Sequence, residues 1–180
     1  MNYYVVETDK HKLIQKTAGV KARQDVETIF KWNNLKKIEI PCLIEGRENK
    51  TRLGKIKAHY DVYMLWKNAL KKIKKNDWIY IQFPLLEHTM LFSLLIKNLE
   101  KRGIHTSIII HDVEAIRFTL RNDVPLSRKI RMRFEEISSF KNCSKIIVHN
   151  EKMKSFMHEK WKIHKDKMDI LGIFDYLVEN

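Results

Sequence analysis

The chain of 180 residues contains two cysteines, five glycines and three prolines, and each scarcity closes off a class of protein. Cys42 and Cys143 are too few and too far apart for a disulfide framework or a zinc site. With so little glycine and proline, no flexible linker divides the chain, and its length suits one domain with a real core better than two. Long apolar runs are missing too. The stretch Met90 to Ile96, with Ser93 inside it, falls far short of the roughly 20 residues that cross a bilayer. The opening residues, Met1 to Asp9, lack a positive leader and cleavage site and read as a first strand. There is no glycine-rich dinucleotide fingerprint, P-loop, nucleophile elbow, metal-ligand spacing, internal repeat or low-complexity segment. The expectation is a cytoplasmic protein with no metal site.

What is present is a regular alternation. Hydrophobic residues at 44% and charged residues at 32% describe an ordinary globular chain. Strand patterns occur at Tyr3–Glu7, Lys36–Ile40, Trp78–Phe83, Thr106–Asp112, Lys145–His149 and Met168–Leu171. Helical spacing lies between them. Val20, Arg23, Val26, Ile29 and Phe30 start one helix. Val62, Leu65, Trp66, Ala69 and Ile73 form the apolar stripe of another, whose other face carries lysines. Leu86, Met90, Leu91, Leu94, Leu95 and Leu99 form a third, stopped by Gly103. Asn150 is placed to cap a fourth, with Met153, Phe156, Met157 and Trp161 as its core face. Such alternation predicts an α/β fold. It would be a single doubly wound, Rossmann-like domain over residues 1–180, with a mostly parallel sheet of six or seven strands and right-handed crossovers.

The net charge is +13 and unevenly spread. Between Lys50 and Lys75 nine basic residues face a single acid, Asp61. Further basic stretches run from Arg117 to Arg133 and from Lys152 to Lys167. Each alone reads as a solvated helix face, but three together point to an anionic partner, either nucleic acid or the inner face of a membrane. No recognition helix or stacking platform accompanies the charge, which favours peripheral membrane contact.

The most informative segment is Ser107 to Arg117. The run Ser107-Ile108-Ile109-Ile110 has the composition of a strand buried on both faces. It ends in His111-Asp112, with Glu114 and Arg117 close behind, at the strand end where open α/β sheets place ligands. Two roles are open to Asp112: a chemical group at that edge, or the cap of a following helix with Glu114 in its first turn. His149-Asn150 repeats the placement at the end of a later strand, so both pairs are expected on one edge and in one cleft. After the first strand comes Thr17-Ala18-Gly19-Val20-Lys21-Ala22-Arg23. Gly19 would bring backbone amides of a helix start close to an anion or hydroxyl, with Lys21 and Arg23 adding charge.

These residues resemble a known family. Thr17-Ala18-Gly19 with Lys21 to Val26, then Gln82-Phe83-Pro84, then Ile110 to Arg117, is similar to the amino-terminal half of a bacterial glycosyltransferase of the GT-B type. The galactofuranosyltransferase-like enzymes, and related glucosyltransferases of polysaccharide and glycoprotein assembly, share this order. Ile147 to Met153 and Leu171 to Leu177 continue the pattern, the latter resembling the crossover into a second domain. The resemblance implies an acceptor-binding half of an enzyme that moves a sugar from a nucleotide-diphosphate donor to a lipid- or protein-linked glycan. The donor would be held by a carboxyl-terminal domain absent from this chain, so the isolated chain is expected to be inactive and to bind no cofactor. Homo-oligomerisation and peripheral attachment to the cytoplasmic membrane fit the same reading. In an inverting reaction Asp112, with His111, would take the acceptor proton. Thr17, Gly19, Lys21, Glu114, Arg117, His149 and Asn150 would contact the acceptor. The alternative is a basic nucleic-acid-binding or non-catalytic interaction domain of the same fold.

Overall fold

The computed structural model describes residues 1–8, 18–43, 51–87, 89–113 and 123–172. Its strands are β1 (Asn2–Thr8), β2 (Lys36–Pro41), β3 (Trp78–Phe83), β4 (His105–Ile110), β5 (Lys145–Val148) and β6 (Met168–Ile170). The helices among the described residues are α1 (Ala18–Trp32), α2 (Arg52–Ala69), α3 (Phe92–Lys101), α4 (Leu126–Asn142) and α5 (Glu151–Trp161). All six strands lie parallel in one sheet, in the order β2-β1-β3-β4-β5-β6. The doubly wound α/β fold expected from the sequence is the fold observed.

Side-chain alternation assigns the two faces of the sheet. One face, carrying Val5, Ile79, Ile81, Ile108, Ile110, Ile146 and Val148, joins Trp66 of α2, Leu95 and Ile96 of α3, Phe140 of α4 and Met157 of α5 in a single cluster. Within it Phe140 packs edge-on to Phe83 at 5.2 Å and stacks with Trp161 at 6.1 Å. On the other face, Phe30 of α1 meets Tyr4 at 5.2 Å and Tyr80 at 5.3 Å. Strand β4 is buried from Thr106 to Ile110, which accounts for its unbroken apolar sequence.

Helix ends follow their local chemistry. Thr51 caps α2 by accepting a hydrogen bond from the Gly54 N–H at 3.2 Å. Asn150 caps α5 by accepting one from the Met153 N–H at 2.9 Å. Gly103, at φ +72°, ends α3 in the left-handed region that glycine occupies without penalty.

One expectation is corrected, and one helix is added to the pattern. Helix α3 begins at Phe92 rather than near Leu86, and it buries Phe92, Leu95, Ile96 and Leu99, while Met90 and Leu94 are exposed. A leucine-rich run offers several helical phases, and the sheet surface selects one. Helix α4, which the patterning did not mark, takes in the end of the second basic stretch. It contributes Phe140, which is completely buried.

Candidate functional site

In a parallel sheet all strand carboxyl ends share one edge, and a crevice opens where the winding direction reverses. Here the reversal falls between β1 and β3, because the chain passes from β1 out to β2 and then returns to the far side of β1. The β1–β3 ladder runs only from Asn2↔Trp78 to Tyr4↔Tyr80, whereas β1–β2 pairing continues to Thr8↔Pro41 and β3–β4 pairing to Phe83↔Ile110. The carboxyl ends of β1 and β3 therefore part. Glu7, Arg23, Glu27, Gln82 and Leu86 line the recess between them.

Glu7 stands at the end of β1 and accepts hydrogen bonds from the Leu86 N–H at 2.8 Å and the Glu87 N–H at 3.1 Å. Burial pushes its carboxyl up to about 7, against the opposing pull of those two amides and of Arg23. Arg23, reaching in from α1, donates to the Pro84 carbonyl, and burial lowers its guanidinium from the usual value. Glu87 in turn accepts the Leu43 N–H. The segment after β3 is thus tied to β1, α1 and the residues following β2.

His111 follows β4 directly, and its N–H continues the ladder to the Phe83 carbonyl at 2.8 Å. Its Nε2 lies 2.7 Å from Gln82 Oε1, while Gln82 Nε2 donates to the Arg23 carbonyl at 3.4 Å. That second bond orients the Gln82 amide so that its oxygen faces the imidazole. Burial above all, and then the nearness of Arg23 and His149, lowers the His111 pKa to about 4. The ring is therefore neutral near pH 7, with its proton on Nε2 and a lone pair on Nδ1. His149, after β5, donates from Nε2 to the His111 carbonyl at 3.2 Å.

The two strand-end histidines thus meet at one edge, as the sequence predicts. Asp112 is half-buried beside His111, and its Oδ1 accepts the Val113 N–H at 2.8 Å. Gly19 lies in the first turn of α1, the helix that also carries Arg23 into the recess. Lys21 pairs with the buried Asp25 at 2.9 Å, one turn along the same helix. Asn150 is exposed and serves as the α5 cap. Thr17, Glu114 and Arg117 lie outside the described residues.

Glu7, Glu27 and Gln82 are polar residues lining the recess that sequence reasoning did not single out as functional, and two of them carried a signal. Glu7 is an acid ending an apolar strand, and Gln82 is a buried polar residue between the buried Ile81 and Phe83.

These polar groups converge at the sheet edge where open α/β folds place ligands. A comparison with curated proteins finds no match for this chain. A family model does match, covering residues 2–173, so the chain belongs to the glucosyltransferase 3-like, N-terminal domain family.

Proposed function

We propose that this domain binds the acceptor of a glycosyl transfer and presents its hydroxyl at the His111–Asp112 edge. The sugar would come from a nucleotide-diphosphate donor held by a second domain, in the two-domain arrangement of GT-B enzymes. Family membership supports the transferase chemistry, and its glucosyltransferase 3-like character favours a glucosyl over a galactofuranosyl donor. The observation that carries the reading is the His111–Gln82–Arg23 chain at the mouth of the β1/β3 crevice. It holds one imidazole neutral, in one tautomer, at the sheet edge where ligands bind.

The chemistry assigns separate tasks. Transfer with inversion requires a base on the acceptor hydroxyl, and Asp112 is the carboxylate adjacent to the edge. His111 Nδ1 is an acceptor at every pH well above about 4, so it orients a hydroxyl without competing for its proton. His149 fixes the backbone that carries His111. Arg23 holds the loop at Pro84, which closes one side of the recess.

Calorimetry on residues 1–180 tests the assignment, using a panel of lipid- and peptide-linked glycans and a uridine-diphosphate sugar. Acceptor binding that weakens in His111→Ala, with no micromolar binding of the sugar nucleotide, is the expected result. Micromolar binding of the sugar nucleotide by this chain would reverse the roles of the halves. In a protein that also carries the donor domain, Asp112→Asn lowers turnover by roughly 100-fold if Asp112 is the base. Undiminished turnover would reduce this carboxylate to a backbone cap.

A further inference from the structure

Helix α2 has apolar side chains on the side where a surface helix carries polar ones. It buries Ala58, Val62 and Trp66 against the sheet, and an amphipathic helix is polar opposite such a stripe. Instead Leu53, Ile56 and Tyr60 project there, 80%, 65% and 53% exposed. At 3.6 residues per turn these three fall within about 60° of one another. The lysines expected on this face are present, but they share it with the apolar row.

The pattern extends to the neighbouring helices. Helix α3 packs against both α2 and α4. Leu94 near the start of α3, and Leu126 and Ile130 in the first turns of α4, are exposed as well, the last two at 71% and 60%. Helices returning along a parallel sheet begin at its carboxyl edge. All six apolar side chains therefore lie in the halves of their helices nearest the rim that carries His111.

Charge selects the occupant. Lys55, Lys57 and Lys67 are exposed on α2, Lys71 and Lys72 follow it, and its single acid, Asp61, is paired with Lys57 at 2.8 Å. A second copy of the chain on this face would bring these lysines against their own counterparts. Nucleic acid would satisfy the lysines but leave Leu53 and Ile56 in water. An anionic bilayer takes both, the aliphatic groups entering the headgroup boundary and the ammonium groups meeting phosphates. We propose that the outward face of α2, with the starts of α3 and α4, is a docking surface for an anionic lipid membrane, oriented with the crevice rim toward the bilayer. This inference does not depend on the transferase reading, and either can fail alone.

Co-sedimentation of the chain with phosphatidylglycerol–phosphatidylcholine vesicles, against phosphatidylcholine alone, tests it. Binding to the anionic vesicles only, falling steeply as salt shortens the screening length below about 8 Å, is the expected result. The double change Leu53→Ser with Ile56→Ser should lower partitioning by about tenfold or more. Trp32→Ser, an equally exposed apolar site on α1 across the sheet, should leave it unchanged. Exposed substitutions of this kind preserve the fold, which circular dichroism of each variant checks. Equal binding to both vesicle types overturns the proposal, as does an equal loss in Trp32→Ser or full binding by the double variant. Sedimentation showing a dimer that the double variant abolishes would assign the face to a second copy instead.

Discussion

Glu7 and His111 make opposite contributions to the pH dependence of stability, and separating them tests the reading of the crevice. The Glu7 carboxyl rises from an ordinary 4.5 to about 7 in the fold. A raised folded pKa contributes stability that is complete below 4.5 and is lost as pH climbs through 7. His111 falls from 6.5 to about 4. A depressed folded pKa contributes stability that is present above 6.5 and is lost as pH falls through 4. Each shift corresponds to about 3 kcal/mol over its full window. The two windows overlap almost completely, so in the wild type the two slopes largely cancel.

Single substitutions remove the cancellation. Glu7→Gln leaves the His111 contribution, and stability should rise between about pH 5 and 6.5 by about 2 kcal/mol more than in the wild type. His111→Asn leaves the Glu7 contribution, and stability should fall over the same interval by a similar amount. The amide of Glu7→Gln can accept only one of the two N–H groups that Glu7 now holds. A pH-independent cost of about 1–3 kcal/mol is therefore expected, and the slope rather than the absolute value is the readout. Urea denaturation at a series of pH values measures it. Two variants whose slopes match the wild type would show that neither group is desolvated as the crevice geometry requires.

Two further outcomes probe the scaffold around the site. Asn150→Ala should cost about 1 kcal/mol through loss of the α5 cap while leaving glycan affinity unchanged. A large drop in affinity with stability intact would instead make Asn150 an acceptor contact. Phe140→Ala should cost about 3–5 kcal/mol, because its completely buried ring bridges Phe83 and Trp161. A loss under about 1 kcal/mol in thermal or urea unfolding would mean that α4 does not seal this face as described.

Strand positions were readable because strands covered on both faces are dominated by apolar, β-branched residues. Trp78–Phe83 and Thr106–Ile110 announce themselves by composition, and the abrupt change at His111 marks where burial ends. Helix α4 was not readable in the same way. Its sequence interleaves charged with apolar residues, and the burial of Phe140 depends on rings contributed by β3 and α5. The phase of α3 was ambiguous for the opposite reason, since leucine occupied more positions than one face can bury.

Residue patterning alone dictates a parallel sheet with His111 and His149 at the same edge. Alternation, right-handed crossovers and strand ends are local or topological consequences of patterning. Only the tertiary structure decided which groups share a site. Glu7, Arg23 and Gln82 lie on three elements and line one recess because β1 and β3 part beyond Tyr4↔Tyr80, and His111, just after β4, joins them through Gln82. The protonation of Glu7 and His111 is likewise a tertiary property. For both groups it comes first from desolvation; the charge of Arg23 adds to the shift of His111 and opposes that of Glu7, and neither influence exists before the chain has folded.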